Sequence, residues 1–433
     1  MQLDNRGAKY CCYVRRESAA WRPRGNCVNA EFPRARWPAD CRGWRHKLLF
    51  KSKLPDVGTT IFTIMSRRAV EENALNIGQG FPDYPIDPRL SNCLVDAIAE
   101  GHNQYAPMEG VTDLREQISH KLFICYGQKF DPLTEITVTC GGTESLYDAI
   151  QAVVGPGDEA IIFDPAYDAY EPAIRVSGAR CVRIPLEPPA FRFDWDRVRR
   201  LITDRTRLII INSPQNPSCS VATEEDLQAL ADCIRDRPIT VLADEVYEHV
   251  LFDGRRHASV LTHPELRERS YAVYSFGKTL HATGWRVGYC VAPAKMTREL
   301  RKVHQFNTFS IAAPLQHAIA RYLASYPDAW HGLSAFFQAK RDLLAKQLRG
   351  SGLEPVPAAG TYFQLVNYAA ISREDDMSFA DRLIREAKVA IIPLSPFYAE
   401  PPKMTLVRLC IAKQDGTLVT AAERLREFAK AHT

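Results

Sequence analysis

One lysine, Lys278, sits in the stretch Ser275-Phe276-Gly277-Lys278-Thr279-Leu280-His281-Ala282-Thr283-Gly284-Trp285-Arg286, among hydroxyls and glycines and eight residues before an arginine. A lone lysine in a loop is most often a solvated surface residue. The alternative is a nucleophile. An amine attacks an aldehyde only when partly deprotonated, which takes burial or a cationic neighbour, and Arg286 supplies the second while also suiting a phosphate. The choice turns on whether other segments supply partners.

They do. Asp244 ends the apolar run Ile239-Thr240-Val241-Leu242-Ala243, with Tyr247 three residues on. A carboxylate closing a buried strand is costly unless it meets a cation. Asn212-Ser213-Pro214-Gln215-Asn216-Pro217 ends another strand, and its two prolines stiffen the backbone so that Asn216 has one direction. Thr134 to Thr139 reads as a strand running into Cys140-Gly141-Gly142-Thr143, which opens a helix. Free N–H groups and the helix dipole suit a phosphate there, a property shared with many helices. Tyr167 follows the strand Glu159 to Asp164 and offers a flat ring, although a loop tyrosine more commonly packs on its own domain. Gly80, in Gly78-Gln79-Gly80-Phe81-Pro82-Asp83, matters only if something approaches its backbone closely. Arg408 is the one charged residue of its strand. An amine, a strand-end carboxylate, amide and hydroxyl donors, an aromatic face and an anion site are together what pyridoxal phosphate requires, Lys278 being its Schiff-base lysine.

Those residues need elements to hold them. Strands alternate with helices from Thr134 to Pro293, which implies an α/β fold with a mainly parallel sheet covered on both faces and ligands at the strands' C-terminal ends. The Lys278 stretch, between the strands Tyr271 to Tyr274 and Val287 to Ala292, reads as a loop at a sheet edge. No G-x-G-x-x-G occurs in this span, which disfavours a dinucleotide. Thr112 to Tyr126 reads as a helix with Leu114, Ile118 and Leu122 on one face, and Thr223 to Asp226 as a capping box. The last hundred residues read α+β, with strands at Thr361 to Val366, Val389 to Pro393 and Leu406 to Ile411.

At 433 residues and 46% hydrophobic, the chain is long enough for two domains with substantial cores. No apolar run approaches ~18 residues, so no membrane partner is expected. The net charge of +4 is misleading: Met1 to Lys51 holds twelve Lys/Arg against four Asp/Glu, leaving 43 basic and 47 acidic residues after it. That basic segment could be a transit peptide, a nucleic-acid arm or translation from a start codon too far upstream. Its acidic residues count against the first, and a complete cofactor constellation counts against a nucleic-acid binder, so residues 1–51 are expected to be a disordered or spurious extension. Its cysteines lack C-x-x-C spacing, and no metal is expected. The eight later cysteines read as free thiols of a reducing, cytoplasmic compartment.

Ser275-x-x-Lys278 with Arg286, Asp244-x-x-Tyr247 and Asn212-x-Pro214-x-Asn216-Pro217 resemble the class I and II aminotransferases of pyridoxal-phosphate fold type I. Gly78 to Asp83, Asn103-Gln104-Tyr105-Ala106-Pro107, Phe163-Asp164-Pro165-x-Tyr167 and Val407 to Lys413 resemble, within them, the methionine aminotransferases and their kynurenine/glutamine relatives. The resemblance runs from about Ser52 to the C-terminus. It implies a seven-stranded, mainly parallel large domain at 96–320 and a smaller α+β domain from 52–95 and 321–433. It implies a homodimer with shared active sites and pyridoxal 5′-phosphate as cofactor. Lys278 would be the proton shuttle, Asp244 the partner of the pyridine nitrogen, Asn216 and Tyr247 contacts of the phenolic oxygen, and Tyr167 the ring's cover. Gly142, Thr143, Ser275, Arg286 and the neighbouring subunit's Tyr105 would hold the phosphate. Arg408, helped by Asn216 and the Gly80 backbone, would clamp the substrate carboxylate. Cys219 stands where many relatives have glycine, and a small loop adjustment is expected. The implied reaction is ping-pong amino transfer between an amino acid and a 2-oxo acid through pyridoxamine phosphate, with cysteine-conjugate β-lyase or kynurenine/glutamine transfer as alternatives at the same site. The segment Phe306 to Ala312, with Phe309, would line the side-chain pocket and carries no basic residue, which favours methionine and aromatic donors over aspartate.

Overall fold

Seven strands build the main sheet of the computed structural model, which describes residues 51–432; the expectation for the N-terminal extension, Lys51 apart, lies outside the described residues. Numbered in chain order, they are β2 (Ile136–Thr139), β3 (Glu159–Asp164), β4 (Arg180–Pro185), β5 (Thr206–Asn212), β6 (Thr240–Asp244), β7 (Ser270–Ser275) and β8 (Gly288–Val291). Their order across the sheet is β2-β8-β7-β6-β5-β3-β4, and only β8 runs against its neighbours.

The strands are apolar at successive positions because both faces of the sheet are covered. Ala160, Ile162, Leu208 and Ile210 share one core with Leu146 and Ile150 of the helix Gly141–Val153. The alternate residues Ile161, Phe163, Ile209 and Ile211 belong to a second core on the opposite face. The helix Thr112–Tyr126 forms as read, with Leu114, Ile118 and Leu122 fully buried, and Thr223 and Asp226 make the capping box that starts Glu224–Ile234.

A second, antiparallel sheet comprises β9 (Glu354–Pro355), β10 (Phe363–Asn367), β12 (Ile392–Pro393) and β13 (Leu406–Cys410), in the order β12-β13-β10-β9. A two-stranded parallel pair, β1 (Leu75–Asn76) with β11 (Val389–Ala390), ties the early chain to its last third.

Two expectations are corrected here. The run Val389 to Pro393 is two strands serving two sheets, because its first half pairs with β1 and its second with β13. The Lys278 stretch is not at a sheet edge: β8 turns back antiparallel beside β7 and β2 takes the outside, so the stretch emerges from the sheet's interior as a helical turn, Phe276–Thr279, and a 3-10 turn, Thr283–Trp285. The eight later cysteines are all unpaired, four buried and four partly buried. Among the described residues no helix is long and apolar enough to cross a membrane.

Candidate active site

Asn212, Asp244 and Ser275 end β5, β6 and β7, while Gly142 and Tyr167 follow β2 and β3; all five line one cavity of about 250 Å³ at the C-terminal end of the parallel strands. The sheet register sets Asp244 between Asn212 and Val273, so a carboxylate stands at the floor of the cavity, buried. The Tyr170 hydroxyl donates to its Oδ2 at 2.6 Å and the Val246 N–H lies 3.4 Å from Oδ1. No lysine, arginine or histidine among the described residues ion-pairs with it. Burial therefore pushes the Asp244 carboxyl up to about 6, the Tyr170 hydrogen bond opposing.

Lys278 stands one helical turn beyond β7. Its Nζ donates to the Tyr362 hydroxyl at 2.6 Å. Burial lowers the amine to about 8, Arg286 and Arg408 add to that effect, and Cys410 and Asp244 oppose it. Half of such an amine is neutral near pH 8, which meets the condition for a nucleophile.

The helix Gly141–Val153 presents its N-terminus to the same cavity, where N–H groups have no intrahelical partner. Gly141 has φ +74°, and a Cβ there would lie 2.6 Å from Nη2 of Arg286, so glycine is what lets the guanidinium close on the helix start. Arg286 donates from Nη1 to Thr283 O at 3.2 Å. Thr143 and Ser275 line the same cavity. Tyr167 meets Tyr170 edge-on at 5.6 Å and turns to the cavity it lines. Tyr247 is buried, and burial holds its phenol well above the usual range, so it remains a donor.

Arg408 comes from the other sheet, paired in register with Leu365 and Ile392. It is 0% exposed. Nη1 donates to Asn216 Oδ1 at 2.5 Å, Nη2 donates to Gly78 O at 3.0 Å, Nε has no partner, and the Phe363 ring lies 3.8 Å from the guanidinium carbon. Its surroundings are neutral acceptors and aromatic faces, so burial lowers its pKa. Gly80 is approached closely by the chain's own aromatic rings: a Cβ would come 2.7 Å from Phe363 Cζ.

Eleven of the thirteen residues singled out in the sequence line this cavity. Tyr105 and Phe309 do not. They meet edge-on at 5.6 Å, exposed, outside this chain's cavity. Three residues that sequence reasoning gave no role also act here. Asn212 accepts from Asn216 N at 2.8 Å and donates to Asp244 O at 2.8 Å, which fixes the loop to the strand end; it had been quoted only as part of a motif. Tyr170 lay three residues after Tyr167, a spacing that could have flagged it. Tyr362 gave no signal beyond an aromatic at a strand start.

Glu144, Asp148 and His304 converge like metal ligands, yet both ring nitrogens of His304 face acceptors, Glu144 at 3.0 Å and Met108 O at 2.9 Å. Burial opposes its charge, but the bonds to Asp148 and Glu144 outweigh that and hold it at about 9, which favours a charged imidazolium between the two carboxylates.

A buried carboxylate without a counter-charge, a depressed lysine, a helix N-terminus with an arginine and an aromatic face fit pyridoxal 5′-phosphate. Residues 72–425 match the family described as aminotransferase class I and II. The chain is 51% identical over 381 residues to the methionine aminotransferase of Escherichia coli, covering 88% of this chain and 99% of that one. It is 31% identical to the kynurenine-oxoglutarate transaminase of Dictyostelium discoideum, over 86% and 95% of the two chains. A solved Escherichia coli structure identified as a methionine aminotransferase matches with TM-score 0.86 at 51% identity, over 88% of this chain and all of that one. The sequence, the sheet architecture and the cavity thus agree: the chain belongs to the class I and II aminotransferases, which work with pyridoxal 5′-phosphate.

Proposed function

We propose that this aminotransferase moves the amino group of a neutral, apolar or aromatic L-amino acid, methionine foremost, to a 2-oxo acid with ping-pong kinetics. The cavity's cations carry the reading. Among the described residues, its lining holds only Lys278, Arg286 and Arg408 as lysine or arginine. Lys278 is the reacting amine, Arg286 answers the cofactor phosphate and Arg408 the substrate's α-carboxylate. None is left for a side-chain carboxylate, whose unpaired desolvation costs several kcal/mol. Phe62, Tyr167 and Phe363 in the lining suit a thioether or a ring. The similarity to a kynurenine-oxoglutarate transaminase favours a second reading, kynurenine or glutamine as donor, with β-elimination from cysteine conjugates as a further alternative at the same site.

Bound pyridoxal 5′-phosphate supplies an aldehyde carbon for the amino group and a protonated ring that draws electrons from the substrate's Cα. Asp244, ionised opposite the ring nitrogen, would keep that nitrogen's proton in place. Tyr167 covers the ring, while Asn216 and Tyr247 donate to the phenolic oxygen. Gly142, Thr143, Ser275 and Arg286 hold the phosphate. Lys278 Nζ carries a proton from the substrate's Cα to the cofactor's C4′ carbon. Arg408 fixes the carboxylate so that the Cα–H bond points at that amine, with the Gly80 backbone beside it. Tyr105 and Phe309 are assigned to the active site of a second copy of the chain, which makes the enzyme a homodimer; the same reading gives it a cytoplasmic location and domains at 96–320 and at 52–95 with 321–433. Neither the cavity nor the segment Phe306 to Ala312 then offers an acidic side chain a cation. A donor panel with one common 2-oxo acid tests the substrate class: methionine and phenylalanine should outpace aspartate, and the reverse order refutes it.

A further inference from the structure

The Lys278 amine is held by a hydroxyl whose hydrogen-bond direction is already fixed. Nζ lies 2.6 Å from Tyr362 Oη, and Oη lies 2.7 Å from Gly80 O. A carbonyl only accepts, so the single proton of Tyr362 goes to Gly80 and only lone pairs remain for Lys278. Burial holds the phenol well above its usual range, so it does not ionise and become a base. Its ring is fixed edge-on against Tyr247 at 5.0 Å and Phe363 at 4.9 Å. An amine donating one N–H to such an acceptor keeps its lone pair off that bond.

We propose that Tyr362 is the positioning residue of the reaction's proton carrier: it accepts one N–H of Lys278 and so leaves the amine's lone pair turned to the substrate's Cα. This rests on the reading of Lys278 given above. When the lone pair takes the Cα proton, the electrons of the Cα–H bond pass into the conjugated cofactor, and Nζ then releases a proton to C4′. The N–H shared with Tyr362 is neither made nor broken, so one contact can hold the amine throughout. The other groups facing Lys278 are Asp244 from β6, Tyr247 just beyond it, Arg286 from the β7–β8 connection, and Arg408 and Cys410 from β13.

The test is Tyr362→Phe in the full chain. An acceptor favours an ammonium over an amine, so its removal lowers the lysine's pKa. In the cofactor-free variant, the pH midpoint of Lys278 acylation, followed by mass spectrometry, should move down by roughly 0.5–1 unit. In the holoenzyme, kcat should fall about 10–100-fold with donor KM within about threefold, and the isotope effect with Cα-deuterated donor should rise, because only proton transfer is disturbed. An unchanged midpoint, kcat and isotope effect overturn the proposal, as does a rise in KM alone, which would mark Tyr362 as a prop for Gly80. If the variant does not fold, 3,5-difluorotyrosine at position 362 keeps the shape with a poorer acceptor, and the same downward midpoint shift is required. Borohydride reduction and peptide mapping separate the two readings. Cofactor trapped away from Lys278 sinks both, whereas cofactor trapped on Lys278 with an unchanged Tyr362→Phe sinks only this one.

Discussion

Two regions of the molecule bury charge in opposite ways. Behind the main sheet, Lys121 donates to Glu248 at 2.6 Å, Tyr126 also bonds that carboxylate, and both charges are shut away from water. His304 between Glu144 and Asp148 follows the same pattern. At the cavity, Asp244 has only a hydroxyl and an N–H, and Arg408 only an amide, a carbonyl and aromatic faces. Removing either ion from water costs several kcal/mol, so a buried charge persists where something answers it. In the first region the chain itself answers. In the second no oppositely charged side chain among the described residues ion-pairs with either group, and under the proposed function that place is left to a ligand.

The largest effect falls where the withheld charge meets the chemistry. Lys278→Ala should abolish the absorbance near ~420 nm of lysine-bound cofactor and lower kcat/KM by at least about 10³-fold with the fold intact. Residual transamination at the wild-type rate would remove Lys278 from the reaction.

Stability sharpens the contrast, because the two regions should respond with opposite sign. Glu248→Gln strands the Lys121 ammonium and should destabilise the chain by about 3–5 kcal/mol in urea unfolding. Asp244→Asn removes an unanswered charge and should stabilise the cofactor-free chain by on the order of 1–3 kcal/mol near pH 7, while ending activity. The pH window follows from the sign of the shift. The folded pKa of Asp244, about 6, lies above the ordinary value of 3.8. Its contribution is thus fully present below about 3.8 and lost as pH rises through about 6. Cofactor-free wild type should weaken across that window, and Asp244→Asn should lack that component. Destabilisation by both variants would erase the distinction.

That contrast was half legible in the sequence. Asp244 closing an apolar strand and Arg408 alone among apolar neighbours announced themselves, because an ionisable residue breaks a hydrophobic pattern. The answering groups did not. Tyr170 and Tyr362 are tyrosines in ordinary aromatic company, and what gives them roles is that folding brings Tyr362 to Lys278, eighty-four positions away, and Tyr170 to Asp244, seventy-four away. Most elements followed from local apolar pattern and caps, as at Thr112–Tyr126 and Thr223. The sheet-edge reading of the Lys278 stretch failed because an antiparallel return, β8, leaves no mark on period or composition, and Val389 to Pro393 read as one strand because each half is apolar whichever sheet it joins.

Arg408 gives the next effect in size. Arg408→Lys keeps the charge but loses the planar two-point contact with a carboxylate, and should cost about 2–4 kcal/mol in kcat/KM while cofactor absorbance is retained. Unchanged kcat/KM would mean that the substrate's carboxylate is answered elsewhere.

The smallest effect concerns what stands beneath that guanidinium. With no carboxylate against it, Arg408 rests on the Phe363 ring at 3.8 Å, and a desolvated contact of that kind contributes about 1–2 kcal/mol. Lys121 also lies over a ring, Tyr274 at 5.4 Å, but has Glu248 as well, so the aromatic face is secondary there. Phe363→Leu keeps an apolar side chain and removes the π face. The guanidinium then loses an orienting contact that is the same before and during the reaction, so the loss is one of uniform binding and appears in KM. Donor KM should rise about 5–30-fold, with kcat within about twofold and cofactor absorbance unchanged. A fall in melting temperature with KM unmoved would show that Phe363 is core packing alone. Arg408 would then depend on Asn216 and Gly78 for its orientation, and the aromatic face would have no part in presenting the charge that the chain leaves unanswered.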